Sequence, residues 1–339
     1  MLTLSAPRRV AIVGANRIPF ARSNTAYAEA SNQDMLTAAL QGLVDRFDLH
    51  GLRLGEVAAG AVLKLSRDIA LTRESVLGTT LGHDTPAYDV QQACGTGLEA
   101  AILVANKIAL GQIEVGIAGG VDTTSDAPIA LNEGFRQALL AANREKTALG
   151  RLKALSRAGL TAPFRPEPPR NAEPRTGLSM GEHCELMAKR WAIPREAQDA
   201  LAIRSHRNMA AAYEAGLFDE MITPFNGLTR DNNLRPDIDP AKVAAMRPVF
   251  DRENGTLTAA NSTPLTDGAS TVLLASEEWA KARGLPILAW IRAGETAAVD
   301  FVSGEEGLLM APAYAVPRML AKLGPVSYTH LTLPTIYSV

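Results

Sequence analysis

The chain has 339 residues, 47% hydrophobic and 21% charged, with a net charge of −2, enough for about two domains and a large buried core. The near-neutral balance gives no electrostatic reason to expect nucleic acid or a membrane surface as partner, and no apolar run reaches bilayer length. The first nine residues lack the apolar stretch of a secretory signal, and the two cysteines, Cys94 and Cys184, lie far apart; together these point to a reducing, cytoplasmic location and not to a disulfide framework.

In chain order, residues 9–14 read as a first strand and 35–47 as a helix with Met35, Ala38, Ala39, Leu43 and Phe47 along one side. Residues 56–62 are strand-like, 69–81 helical and 87–90 strand. A helix over 95–110 stops at Gly111, and a strand over 115–118 ends at Gly119-Gly120. This alternation predicts a mainly parallel sheet with right-handed crossovers. The pattern breaks after Val121. A basic helical piece from Arg136 leads into the proline-rich P-F-R-P-E-P-P-R-N-A-E-P, stiff and expected on the surface. Two helices follow. The first carries Met180, Cys184, Met187, Ala188 and Trp191 on one face; the second opens at Pro194, a residue suited to a first helical position. Residues 226–248 are irregular, and the whole of 123–248 is expected to be an insertion on one edge of the sheet. Beyond it, 269–274 reads as strand. Ser276 caps a helix with Glu277 and Glu278 in its first turn, 286–291 is strand, and 311–323 is helix despite Pro317.

Chemistry points to V-Q-Q-A-C-G-T-G-L-E-A-A, residues 90–101, where Cys94 sits between a strand end and a helix start. The thiolate is the nucleophilic form of cysteine, and the positive potential of a helix N-terminus favours it. The same unpaired amides can receive an oxyanion formed at a carbonyl. Gly95 and Gly97 would let a substrate approach the backbone. These features suit covalent acyl transfer through a thioester. A small buried residue at a tight strand–helix junction is the competing account of the same spacing.

The motif resembles the acyl-enzyme signature of the thiolase family, and further segments agree in family order. Arg17-Ile18-Pro19-Phe20 resembles its early R-x-P-F. Gly119-Gly120-Val121-Asp122, with Ser125 and Pro128, resembles G-G-x-E-x-M-S-x-x-P, Asp and Thr replacing Glu and Met. Ser179-Met180-Gly181 with Glu185 resembles M-G-x-x-A-E. Leu234-Arg235 and 247–251 resemble the approach to N-x-S-x-x-x-D-G-A, which appears as Asn261-Ser262-Thr263-Pro264-Leu265-Thr266-Asp267-Gly268-Ala269.

The resemblance implies an α/β, thiolase-like fold of two similar α/β halves with a loop-domain insertion, the second half incomplete. Its boundaries would be an N-terminal half over 1–122, the insertion over 123–248 and a partial C-terminal half over 249–324. By the same resemblance Cys94 would accept the acyl group and Met180 would line the acyl cavity. Arg235 would stack on the adenine of coenzyme A, and Thr263 would donate to the pantetheine arm. The loop from Asn261 to Gly268 would wall the pantetheine channel, with turn chemistry the plainer role for Asn261, Asp267 and Gly268. Cys184 is expected in the core and His183 facing solvent. The run Arg144, Lys146, Arg151, Lys153 and Arg157 is expected to be a solvated helix face; phosphates of coenzyme A or a partner subunit are the alternative.

The wording S-M-G-E-H and A-A-N-S resembles the fatty-acid β-oxidation partner subunit more than the short-chain biosynthetic enzyme. The expected activity is therefore reversible thiolytic cleavage of 3-ketoacyl-CoA, with no cofactor beyond coenzyme A and acyl-CoA as substrates. The expected partners are a second copy, as a homodimer or higher oligomer, and a β-oxidation multifunctional subunit. The alternatives are a biosynthetic thiolase, a ketoacyl synthase-like condensing enzyme and a non-catalytic coenzyme A binder. The family's N-E-A-F-A segment, G-H-P-x-G histidine and second cysteine are not found in the sequence, so little turnover and an exposed sheet edge are expected of the chain as written. The last stretch, V-S-Y-T-H-L-T-L-P-T-I-Y-S-V from Val326, holds no Lys, Arg, Asp or Glu. It resembles translated sequencing-adapter read-through, and 325–339 is expected to be non-native.

Overall fold

In the computed structural model, which describes residues 7–159 and 165–324, the apolar run Val10–Arg17 forms β1 and Ala21–Arg22 a short β2. Ser31 then starts α1, Asn32–Arg46. Its hydroxyl accepts from the Asp34 amide while Asp34 reaches back to the Ser31 amide, which satisfies two donors that a helix start leaves open. Further on come β3 (Glu56–Ala59), α2 (Leu71–Leu77), β4 (Ala87–Asp89), α3 (Thr96–Ala109) and β5 (Val115–Asp122). The local periodicities place each of these within a few residues of its expected span.

The sheet order is β4-β3-β5-β6-β1-β7, with β6 at Thr266–Ser276 and β7 at Ala289–Ile291. β3 lies parallel to β4 and β5, as helical crossovers require. β6 enters between β5 and β1 and runs antiparallel to both, from Val115↔Ala275 to Asp122↔Gly268 on one side and from Val10↔Ser276 to Arg17↔Ser270 on the other. The sheet is thus mixed, not mainly parallel. A strand that returns after a long excursion is not held to one direction by a short crossover, so its orientation follows the apolar faces it fills. The same pairing puts the strand over 266–276, expected in a later α/β half, at the centre of the first sheet.

Successive residues of a strand face opposite sides, and the core divides accordingly. On one face Met35, Leu36, Leu40 and Leu43 of α1 pack with Val13, Val57 and Ile117. On the other, Ala100, Val104 and Ile108 of α3 pack on Val10, Ala58, Ala118 and Leu274.

Residues 127–171 form a separate compact unit, narrower than the expected insertion over 123–248. It holds α4 (Glu133–Arg144), capped by Asn132, and α5 (Ala148–Ser156), capped by Thr147. Arg144, Lys146, Arg151, Lys153 and Arg157 are all exposed, as a solvated face requires. The larger unit carries α6 (Met180–Arg190), α7 (Arg195–Glu214), α8 (Pro240–Ala244), α9 (Glu277–Ala282) and α10 (Ala311–Leu323). Two parts of the sequence reading, the suspected tail over 325–339 and the first two residues of the proline-rich run, lie outside the described residues.

Candidate functional site

After β4 the chain turns sharply before α3. Ala93 takes φ 45°, the left-handed region that costs an alanine on the order of 1 kcal/mol or more. The turn is held by the amide of Gly95 on the Gln92 carbonyl (2.9 Å), the amide of Thr96 on the Ala93 carbonyl (3.1 Å) and the Thr96 hydroxyl on the same carbonyl (2.7 Å). The Thr96 hydroxyl also accepts from the Gln92 amide at 2.9 Å. The result is an exposed Cys94 thiol at the entrance to α3, so the account of a small buried residue does not describe it. The first-turn amides of Gly97 and Leu98 have no hydrogen-bond partner among the described residues, as expected where a helix begins.

The glycines here differ in how much room they leave. Gly97 rests on β5, where a Cβ would lie 3.8 Å from the Gly119 carbonyl, and a Cβ on Gly120 would lie 3.8 Å from the Gly97 Cα. A Cβ on Gly60 would come 1.8 Å from the Val90 carbonyl, in the segment that feeds the turn. Gly60, just past β3, therefore admits no side chain against this segment, whereas a Cβ on Gly97 or Gly120 would make only ordinary contact.

Two carboxylates tie the flanking motifs together. Asp122 accepts from the amides of Val62 (3.0 Å) and Leu63 (2.9 Å), and burial pushes its carboxyl above the usual range. Asp267 is fully buried and accepts from the Thr123 hydroxyl (2.9 Å), the Thr124 amide (2.8 Å) and the Ser125 amide (3.2 Å). Its function is therefore more than turn chemistry: it joins the segment after Gly119-Gly120 to the signature loop.

Asn261 is a scaffold residue. Its Oδ1 accepts from the Thr258 amide (2.7 Å), and its Nδ2 donates to Asp199 Oδ1 (2.9 Å) and the Thr256 carbonyl (3.1 Å). Thr263 is exposed, its hydroxyl 3.3 Å from the Pro264 carbonyl. Arg235 is exposed, and its backbone amide donates to His206 Nδ1 at 3.3 Å. Arg235, His206, Arg22, Asn233 and Ser262 line one cleft of about 70 Å³. A second cleft, of about 280 Å³, is lined by Gly97, Gly119, Ser270, Phe218 and Met221. The structure therefore assembles Arg235 with the loop around Asn261 and Thr263, whereas neither cleft is lined by Cys94 or Met180.

Met180 opens α6 beside its cap Ser179 and is half-exposed. The expected apolar face of α6 is reversed in part. Trp191 is 59% exposed, while His183 and Glu185 are buried. His183 does not face solvent: its Nε2 lies 2.8 Å from the Thr176 hydroxyl and its ring meets Phe301 edge-on. Glu185 accepts from the amides of Thr256 (2.8 Å) and Leu257 (2.9 Å), anchoring α6 to the approach to the signature loop. Cys184 is half-buried, and burial with the neighbouring Glu185 charge pushes its thiol up.

Sequence reasoning did not pair Arg17 with Asp231. Arg17 holds Asp231 through Nη1–Oδ1 (2.7 Å) and Nη2–Oδ2 (3.1 Å), and Asp231 also accepts from the Phe20 amide at 2.7 Å. The Tyr213 hydroxyl accepts from the Asp231 amide at 3.1 Å. A cation ending the apolar run of β1 was the available signal for Arg17. Nothing in the sequence marks Asp231 as its partner.

The family model described as "Thiolase, N-terminal domain" matches residues 10–278. The chain is 40% identical over 338 residues to a 3-ketoacyl-CoA thiolase of Aliivibrio fischeri, covering 98% of this chain and 75% of that protein. It is 41% identical over 331 residues to a 3-ketoacyl-CoA thiolase of Vibrio cholerae, covering 96% and 75%. Among solved structures, Bacillus anthracis acetyl-CoA acetyltransferase superposes with a TM-score of 0.77 at 28% identity, over 94% of this chain and 77% of that one. Human mitochondrial 3-ketoacyl-CoA thiolase superposes with a TM-score of 0.78 at 24% identity, over 95% and 78%, a likeness of fold.

Proposed function

This chain belongs to the thiolase family, and from that premise we propose that it is a 3-ketoacyl-CoA thiolase of the β-oxidation type with Cys94 as its acyl-accepting nucleophile. The observation that carries the proposal is the exposed Cys94 thiol, raised by the strained turn at Ala93 to the mouth of α3, where the amides of Gly97 and Leu98 have no hydrogen-bond partner among the described residues. Attack of the Cys94 thiolate on the 3-keto carbonyl of a ketoacyl-CoA forms a C–S bond. Collapse of the oxyanion breaks the bond between C2 and C3, leaving an acyl thioester on Cys94 and an acetyl-CoA carbanion that takes up a proton. The thiol of a second coenzyme A then displaces Cys94 and releases the shortened acyl-CoA. The amides at the start of α3 suit the oxyanion.

In this reading Met180 borders the acyl group, the Arg235 guanidinium stacks on adenine, Thr263 donates to the pantetheine arm and Asn261 holds the loop in place. Coenzyme A and acyl-CoA are substrates, and no resident cofactor is invoked. We extend the proposal to a cytoplasmic enzyme acting as a homodimer or higher oligomer with a β-oxidation multifunctional subunit. Among the described residues, no helix is long and apolar enough to cross a membrane.

Intact-protein mass spectrometry after incubation with acetyl-CoA tests the central step. The expected result is one acetyl adduct, mapped to Cys94 and lost in Cys94→Ala. Coenzyme A binding without any adduct would put the chain among non-catalytic coenzyme A binders and sink the proposal.

A further inference from the structure

The cleft beside Arg235 has properties that the roles above leave unused. Two arginines, Arg22 and Arg235, line it, and neither side chain has an ion-pair or hydrogen-bond partner among the described residues. No carboxylate lines it. The Ser262 hydroxyl, also in the lining, is buried without a hydrogen-bond partner among the described residues. Buried polar groups are ordinarily paired, so an orphan hydroxyl in a cleft is an unfilled bonding position. His206 Nδ1 already accepts the Arg235 amide, so the neutral ring carries its proton on Nε2 and keeps one donor in reserve. Burial and the nearby Arg235 charge hold this imidazole below its usual value, which keeps it neutral. At about 70 Å³ the cleft is small beside the second, of about 280 Å³.

Arg22 is fixed by its backbone. Its amide donates to Asn232 Oδ1 at 2.6 Å, and Asn232 Nδ2 donates to Thr25 Oγ1 at 2.9 Å. β2 pairs Ala21 and Arg22 with Asp267 and Thr266, at the end of the signature loop. The Arg17–Asp231 pair further ties the end of β1 to the segment that carries Asn232. A cation on a braced backbone, sharing a cleft with a second cation and neutral donors and with no carboxylate in the lining, is a design for an anion.

We propose that Arg22 binds a phosphate group at the nucleotide end of coenzyme A, with Ser262 and His206 as neutral donors on the same group. This rests on the reading of the chain as a coenzyme A enzyme and adds to it a phosphate-reading residue. The nucleotide end carries two sources of that chemistry, the 3′-phosphate and the diphosphate bridge.

Isothermal titration calorimetry of the full chain with coenzyme A, 3′-dephospho-coenzyme A and pantetheine separates them. Arg22→Gln is expected to weaken coenzyme A binding about tenfold or more, with Arg22→Lys restoring part of the loss and the pantetheine affinity unchanged in both. A loss confined to coenzyme A assigns the 3′-phosphate. A loss shared with 3′-dephospho-coenzyme A assigns the diphosphate. Unchanged binding of coenzyme A in Arg22→Gln overturns the proposal. So does an equal loss for pantetheine, which carries no phosphate and so reports damage to the fold. If the wild-type chain binds no coenzyme A, the functional reading itself fails and takes this inference with it, an outcome distinct from a wild type that binds and a variant that binds as well.

Discussion

Replacing Asp231 with alanine removes the partner of a guanidinium that is itself largely buried: the side chains of Arg17 and Asp231 are 14% and 5% exposed. Three hydrogen bonds disappear, two from Arg17 and one from the Phe20 amide. Phe20 and Phe218 remain stacked near the guanidinium, at 4.7 and 5.5 Å from their ring centroids, so water reaches it poorly. Breaking a buried pair by deleting one partner costs about 3–5 kcal/mol, because the other charge is left uncompensated. The residual solvent contact and the remaining bonds from Arg17 Nη2 to the Tyr213 hydroxyl (3.3 Å) and from Nη1 to the Ile18 carbonyl (3.2 Å) favour the lower end, so a loss of ~3 kcal/mol is expected. The double variant Arg17→Met/Asp231→Leu removes both charges together and should lose much less, since well-packed apolar replacements of buried pairs are often neutral. Urea unfolding followed by circular dichroism measures both, with the midpoint shift read at constant slope. A loss below ~1 kcal/mol in Asp231→Ala, or a double variant as unstable as the single, would refute the view that an uncompensated charge is the cause.

Two further expectations concern single groups. In the native protein a limiting amount of iodoacetamide should modify Cys94 before Cys184, because the first thiol is exposed while the second is half-buried and its thiolate is disfavoured by burial and by Glu185; peptide mapping reads the order, and preferential labelling of Cys184 would contradict it. Asp251, held by the Lys189 ammonium and by the amides of Asn254 and Glu253, should titrate at about 2 instead of 3.8. Its folded-state value lies below the unfolded one, so any stabilisation it gives is complete above pH ~4 and is lost as pH falls through about 2. Carboxyl-carbon NMR would show the midpoint, and a value near 3.8 would mean that these bonds do not form in solution.

The reach of sequence reasoning followed the range of the interactions involved. The α1 start was legible because the Ser31–Asp34 capping box spans three residues. α3 and β5 were legible because their apolar periods are local. The Cys94 turn was visible as a cysteine between a strand signal and a helix signal, although its exposure depends on the positive φ at Ala93, which no residue type announced. On α6 the periodicity was visible but its burial was not: Glu185 is drawn inward by the amides of Thr256 and Leu257, and Trp191 is left outside.

By itself, then, the sequence determined most of the elements, though not β2 or α8, together with the cysteine at the entrance to α3 and the motif segments along the chain, because each depends on neighbours within a turn or a strand. Only the tertiary structure decided that β6 closes the first sheet between β5 and β1, that Asp267 joins two distant motifs, and that Arg22 and Arg235 face one cleft. Strand pairing and buried carboxylates take whichever partner the folded chain brings within hydrogen-bonding distance, and that choice is made by the packing of all the apolar faces together.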